Sequence, residues 1–246
     1  MRIRDSGPRG AAGRVAVTAA LAALAAAAPL AAQVGKPPGQ SPFHDLTVRQ
    51  ALTLSVGRFS GNAAAAGVGW RAGGLTAVRL DTRLAGPLDF YASIGFVGSS
   101  RYKIDTEQDT LTRKTGPFKK TLFLTDVGVV LNVTGAKTWH GVAPYVGFGA
   151  GWMLPSATET DPGGYNAGTN FTLVPSLGTR VFVTRSLAAR IEVRDYFFRY
   201  EWPLRYFFPI DRNGGALPAV LSSDLKDKQW THNIALTVGL VYGFNF

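Results

Sequence analysis

The sequence predicts an all-β protein: an eight-stranded antiparallel up-and-down barrel that crosses a membrane with its strands. Three observations predict it. The segment Ile234–Phe246 alternates without a slip between a large apolar face and a small or polar one. Seven earlier segments read the same way, behind an N-terminal stretch that has the composition of an export signal. The connections between the segments are alternately short and long.

The last segment shows the pattern most fully. Ile234, Leu236, Val238, Leu240, Tyr242, Phe244 and Phe246 share one face, and Asn233, Ala235, Thr237, Gly239, Gly243 and Asn245 share the other. A period of two is the signature of a strand between unlike environments. A soluble strand would bury its apolar face in a core. Repetition of the pattern in an exported chain points to lipid on that side instead.

Arg2, Arg4, Arg9 and Arg14 precede a run from Val15 to Leu30 that is almost all Ala, Leu and Val, and Ala31-Ala32 follows. A basic flank, a short apolar run and a small-residue exit mark a cleaved secretory signal, residues 1–32. The run is shorter than the ~20 apolar residues of a helical span. Residues 33–45, rich in Pro and Gly, read as a flexible leader, and residues 46–246 as an outer-membrane barrel domain.

The chain of 246 residues has a net charge of +10. The first 32 residues hold four Arg and one Asp, so their removal leaves +7. Solvated loops and an Arg-lined lumen account for that charge, and attraction to anionic headgroups would add to it. No clustered basic helix is present, which argues against nucleic acid as a partner. The absence of cysteine removes thiolate metal sites and Cys nucleophiles from consideration.

The first strand spans about Leu46 to Phe59, with Leu52, Leu54 and Val56 opposite Thr53, Ser55 and Gly57. The second, Leu75 to Leu84, sets Val78, Leu80 and Leu84 against Arg79, Asp81 and Arg83. The third, Asp89 to Gly98, sets Phe90, Ala92, Ile94 and Phe96 against Tyr91, Ser93 and Gly95. In the fourth, Thr121 to Val133, Val127, Val129 and Leu131 oppose Asp126, Gly128 and Asn132. The fifth, Val142 to Leu154, alternates Val146, Phe148, Ala150 and Trp152 with Tyr145, Gly147, Gly149 and Gly151. The sixth, Phe171 to Val183, puts Thr172, Ser176, Gly178 and Arg180 on its polar face; the seventh, Leu187 to Phe198, puts Arg190, Glu192 and Arg194 there.

Short links (Ala85–Leu88, Thr134–Gly141, Thr184–Ser186) separate alternate strand pairs, and long ones (60–74, 99–120, 155–170, 199–229) join the others. Short periplasmic turns and long extracellular loops give outer-membrane barrels this asymmetry. An eight-stranded barrel is just wide enough for side chains to fill it. The inward set Arg79, Asp81, Asp126, Arg180, Arg190, Glu192 and Arg194 is therefore expected to pair across the lumen as a polar network. On the lipid face each Arg would cost roughly 2–4 kcal/mol. A salt-bridged plug is the favoured reading, and a narrow pathway for ions or small solutes is the alternative. Trp152, Phe171, Phe197, Trp202 and Trp230 fall at loop-side strand ends, and Phe90, Trp139, Phe244 and Phe246 at turn-side ends, as girdles would.

The eight strands, the segments Val142–Gly151 and Arg190–Tyr196, and the terminal Phe246 resemble the small outer-membrane β-barrel proteins of the OmpA/OmpX type. The resemblance spans about residues 46–246. It implies location in the cell outer membrane among its lipids. It also implies that the barrel-assembly machinery reads the last strand, here through Tyr242, Phe244 and Phe246.

An enzymatic site is not expected. Of the three histidines, His44 and His140 fall on the turn side, and only His232 reaches the extracellular rim. Ser222, Ser223, Asp224 and Asp227 lie near it in a loop, without a hydrolase motif. A lipid-modifying role for His232 is the minor alternative. Asp161–Asn166 lacks the alternating oxygen ligands of a calcium loop. No catalytic residue, cofactor or metal is expected. The chain reads as a monomeric structural or surface-interaction barrel, with any ligand held by its long loops.

Overall fold

The computed structural model describes residues 41–212 and 215–245. The expected signal, residues 33–40 of the expected leader and Phe246 lie outside the described residues. Eight strands form the barrel: β1 (Gln50–Phe59), β2 (Gly73–Ala85), β3 (Leu88–Ile104), β4 (Lys114–Asn132), β5 (Val142–Pro155), β6 (Asn170–Phe182), β7 (Leu187–Asp195) and β8 (Ile234–Phe244). Each pairs antiparallel with its neighbours in sequence, and β8 pairs with β1 from Ala235↔Phe59 to Phe244↔Gln50. That last pairing closes the sheet. Closure matters in lipid, where an open edge would leave backbone groups unsatisfied at several kcal/mol each.

The pleat sorts the side chains. Leu236, Val238, Leu240 and Tyr242 of β8 point outward and are each more than half exposed, while Ala235, Thr237 and Val241 are buried inside. The same alternation runs round the barrel, so its outside is an apolar band and its inside holds every buried charge of the strands. Among the described residues no helix is long and apolar enough to cross a membrane.

Beyond the band, the structure departs from the boundaries expected from the sequence. β3 and β4 run on to Ile104 and back from Lys114, pairing Ser99↔Lys120, Ser100↔Lys119 and Lys103↔Thr115. The connection expected over residues 99–120 shrinks to 105–113. The extension is invisible to periodicity because neither of its faces meets lipid, so no apolar repeat is required there. The connection after β7 is also partly ordered as sheet. Phe197–Glu201 continues β7 past Tyr196 and pairs with Lys228–Thr231, which leads into β8. A small hairpin, Ile210–Arg212 with Gly215–Leu217, and a 3₁₀ turn at Leu204–Tyr206 occupy the space between.

The leader expected over residues 33–45 also needs correction at its end. Phe43–Asp45 is a strand that pairs with Lys137–Trp139 in the β4–β5 connection. The first barrel strand then begins at Gln50 rather than Leu46. Leu46 is buried, Arg83 donates to its carbonyl at 2.6 Å, and the Asn245 side chain accepts from the Arg49 amide at 2.7 Å. Residues 43–49 thus run across the turn-side mouth, from the β4–β5 connection to the β8–β1 seam.

Candidate functional site: the charged lumen and its aromatic cap

Strand parity aims the expected polar residues at one another. Arg190 donates to Asp81 at 2.9 Å and to Thr53 at 3.1 Å. Asp81 also accepts from Arg79 at 2.9 Å, and Arg79 reaches Glu192 at 2.7 Å. Glu192 accepts from Arg194 at 2.9 Å, and Arg194 donates to both oxygens of Asp126, at 3.0 and 3.1 Å. The result is one unbroken chain, Arg190–Asp81–Arg79–Glu192–Arg194–Asp126, with alternating sign. It links β7, β2 and β4 across the lumen. Charges removed from water need such pairing, since an isolated one costs several kcal/mol after relaxation.

Arg180 is the one expected member that does not join this chain. It lies nearer the turn-side mouth and donates to Asp89 at 3.3 Å and to the Asn132 carbonyl oxygen. Asn132 in turn donates to Asp89 at 2.9 Å. Asp89 and Asn132 were not among the expected site residues, although their inward parity was readable. Together, four buried guanidinium groups (Arg79, Arg180, Arg190, Arg194) face four buried carboxylates (Asp81, Asp89, Asp126, Glu192), and Arg83 adds a fifth, half-buried guanidinium 3.8 Å from Asp89.

Two buried tyrosines complete the layer. Arg79 lies 3.9 Å over the ring of Tyr91 and Arg194 lies 5.1 Å over it. The ring of Tyr145 is faced by Arg190 at 5.4 Å and Arg180 at 5.8 Å. Such stacking adds of the order of 1–2 kcal/mol to a desolvated cation. The tyrosines fit because glycines lie beneath them. A Cβ at Gly149 would stand 2.2 Å from the Tyr91 hydroxyl, and one at Gly178 would stand 2.4 Å from the Tyr145 hydroxyl.

Above the charges the lumen turns apolar: Leu75, Val97, Leu122, Leu124, Met153 and Val174 are all buried. The long connections close over this layer with an aromatic cap. Trp202 stacks on Tyr200 at 5.5 Å and packs against Tyr165 at 5.2 Å; Tyr206 follows at 6.3 Å. The Tyr200 hydroxyl accepts from the Trp70 amide at 3.0 Å and donates to the Asn62 carbonyl at 3.2 Å. Burial raises the phenols of Tyr165, Tyr200 and Tyr206 above their ordinary range, so each stays protonated. Arg101 clamps Asp161 through both carboxylate oxygens, with both side chains buried. The turn 161–166 is therefore tied to the cap through its carboxylate. Nearby, Glu159 accepts from Lys103 and Lys120, which hold its carboxyl down at about 2.

The rim aromatics divide. Trp152, Phe171 and Trp230 are each half exposed on the outside, and Phe197 stacks on Trp230 at 4.8 Å. Trp202, expected with them, is only 5 % exposed and belongs to the cap. It lies on the inward side of the Phe197–Glu201 run, and the irregular chain after Glu201 hid that from the sequence. At the other end Phe90, Trp139 and Tyr242 are exposed, and Phe244 is partly buried.

His232 meets a carboxylate, although not one from its own loop. Its Nδ1 lies 2.5 Å from Asp195, at the end of β7, and its ring stacks on Phe197 at 4.6 Å. Ser222, a nucleophile candidate by sequence proximity, donates to Asp224 instead. Among the described residues no three His, Cys, Asp or Glu side chains gather as a metal site.

A closed eight-stranded barrel with an apolar belt, rim aromatics and a charged, paired interior defines an outer-membrane β-barrel protein. The sequence profile for the outer membrane protein beta-barrel domain matches residues 17–244, and the chain belongs to that family. Its place is therefore the outer membrane, among the lipids of that bilayer. The chain is similar in fold to Neisserial surface protein A, at 13% identity and a TM-score of 0.48, covering 83% of this chain and 98% of that one. It is also similar to OprG of Pseudomonas aeruginosa, at 8% identity and a TM-score of 0.48, covering 84% and 100%. The N-terminal barrel domain of Pseudomonas aeruginosa OprF gives 12% and 0.43, covering 80% and 98%. No curated protein matches the chain in sequence.

Proposed function

We propose that the protein is a non-enzymatic barrel with a filled lumen, serving a structural or surface-interaction role through its extracellular connections. The observation that carries this reading is the six-membered chain of alternating charges across the bore. Two voids beside the charged layer measure only about 10 Å³ each, near the ~10–15 Å³ minimum for one water. An ion pathway would need the Arg and carboxylate side chains to part, the apolar layer to wet and the cap to lift. In this reading Arg79, Asp81, Asp126, Arg180, Arg190, Glu192 and Arg194 are the plug. Residues 1–32 are a cleaved signal, Tyr242, Phe244 and Phe246 are read by the barrel-assembly machinery, and the mature protein works as a monomer.

Planar-bilayer recording of the purified barrel tests the plug. The expected result is no stable open conductance; a large, stable one would overturn it in favour of a pore. The His232–Asp195 pair leaves one enzymatic reading to test. Acyl release or transfer on outer-membrane lipid that vanished in His232→Ala would overturn the non-enzymatic assignment.

A further inference from the structure

Two extracellular connections, residues 156–169 and 196–233, together with Asn170 and Phe171 of β6, line a half-open pocket of about 810 Å³. That volume lies within the ~300–1,000 Å³ range of small-ligand sites. Its lining is of two kinds. Thr158, Asn166, Thr169 and Asn170 supply hydroxyl and amide groups. Asn166 and Thr169 are exposed to solvent, and Asn170 is oriented by donating to the Gly168 carbonyl at 3.0 Å. Phe171, Trp202, Pro203 and Trp230 supply the aromatic and apolar part of the lining. That part is stiff: Trp202 is held in the aromatic cap and Trp230 is stacked on Phe197.

The charges in the pocket cancel. Arg199 and Glu201 both line it, and the guanidinium donates to the carboxylate at 2.6 Å. No other Lys, Arg, Asp or Glu lines it. An anion would meet Glu201 beside Arg199, and a cation the reverse, so neither sign is favoured. The pair instead offers fixed donors and acceptors side by side.

We infer that this pocket binds an uncharged saccharide. A pyranose ring carries C–H groups on its faces and hydroxyls round its edge, which matches a lining of aromatic and of amide and hydroxyl groups. Adjacent ring hydroxyls are at once donors and acceptors, as the Arg199–Glu201 pair requires. An acyl chain would desolvate the amide and hydroxyl groups without hydrogen bonds in return. Phe171 and Trp230 also belong to the outward rim. The same sugar chemistry is therefore within reach either from a glycolipid headgroup in the membrane or from a soluble glycan. The inference rests on the surface-interaction reading proposed above and names the chemistry of that surface. It is independent of the plug, which conductance tests separately.

The experiment is calorimetric titration of the refolded barrel in detergent with a panel of neutral tri- and tetrasaccharides, maltotriose and chitotriose among them. A second arm presents the same saccharides as glycolipids in nanodiscs. Saturable binding is expected for at least one of them. Loss of a hydrogen bond to a charged group in Glu201→Gln, or of the amide in Asn170→Ala, should weaken it roughly tenfold or more. Leu111→Ala, in another connection, should leave it unchanged. Heat-dependent electrophoretic mobility confirms that each variant is folded. Binding of free saccharide would support a soluble glycan, and binding only in nanodiscs a headgroup. No binding in either arm would overturn the inference. So would equal affinity in the pocket variants, or a preference for sulfated or phosphorylated sugars.

Discussion

Arg79 and Tyr91 sit face to face, the guanidinium 3.9 Å over the ring, in the middle of the lumen. Tyr91 stands on β3, opposite Gly128 of β4, which is itself opposite Gly149 of β5. The ring leans across both glycines, and Arg79 lies on its far side while bonding Asp81 and Glu192. One side chain therefore couples the sheet wall to the charge chain: the glycines set where the ring lies, and the ring sets where the guanidinium lies.

Filling the floor beneath Tyr91 should be felt directly. Gly149→Val puts a branched side chain where even a Cβ stands 2.2 Å from the hydroxyl. Overpacking of this kind costs typically ~1–3 kcal/mol. Urea unfolding of the refolded protein should show that loss, whereas Gly86→Val, where a Cβ meets nothing within 4 Å, should avoid the clash and show only turn strain from its φ of 52°.

Breaking the charge chain should cost more than deleting a whole link. Asp126→Ala leaves Arg194 with one carboxylate where it had two. Removing one partner of a buried pair typically costs ~3–5 kcal/mol. The double variant Asp126→Ala/Arg194→Met should recover part of that loss, because no uncompensated charge remains. A double-mutant cycle on unfolding free energy checks it; additive losses would show that the two groups are not coupled.

Acid should loosen the connection 156–169. The Glu159 carboxyl is ordinarily near 4.5 and is held at about 2 by Lys103 and Lys120 in the folded protein. Its folded value is depressed, so its contribution is complete above about 4.5 and fades as pH falls toward about 2. Burial raises the Asp161 carboxyl above its ordinary value, so its tie to Arg101 also weakens on acidification, and Glu159→Gln is the control that separates the two. The protection factor of the Ala167 amide, which donates to the Glu159 carbonyl at 3.2 Å, should fall through that window in the native protein and fall less in Glu159→Gln.

The closing strand should matter more than a loop tip for assembly. Phe244→Asp places a charge on the outward face of β8, at its pairing with Gln50 of β1. Asn166→Asp changes an exposed turn. The yield of heat-modifiable barrel in the outer membrane should fall sharply for the first and stay near wild type for the second. Equal yields would mean that β8 is not the membrane-facing closing strand.

Much of this was legible in the chain before folding is considered. Eight strands, their faces, and the inward aim of Arg79, Asp81, Asp126, Arg180, Arg190, Glu192 and Arg194 follow from parity, because a Cβ points to alternate sides of any strand. Where the apolar repeat stops, legibility stops. The paired ends of β3 and β4, the Phe43–Asp45 strand and the cap position of Trp202 all lie outside the lipid band, where no alternation is imposed.

By itself, then, the sequence determined how many strands cross and which side of each faces lipid, since those are properties of a strand and its solvent. The tertiary structure decided who meets whom. Arg79 finds Glu192 from 113 residues away, and Arg101 finds Asp161 from 60. His232 takes its carboxylate from Asp195, 37 residues off, rather than from its own loop. These meetings depend on the stagger between strands and on the barrel's closure. Both arise from the hydrogen-bond register of all eight strands together, which no single segment encodes.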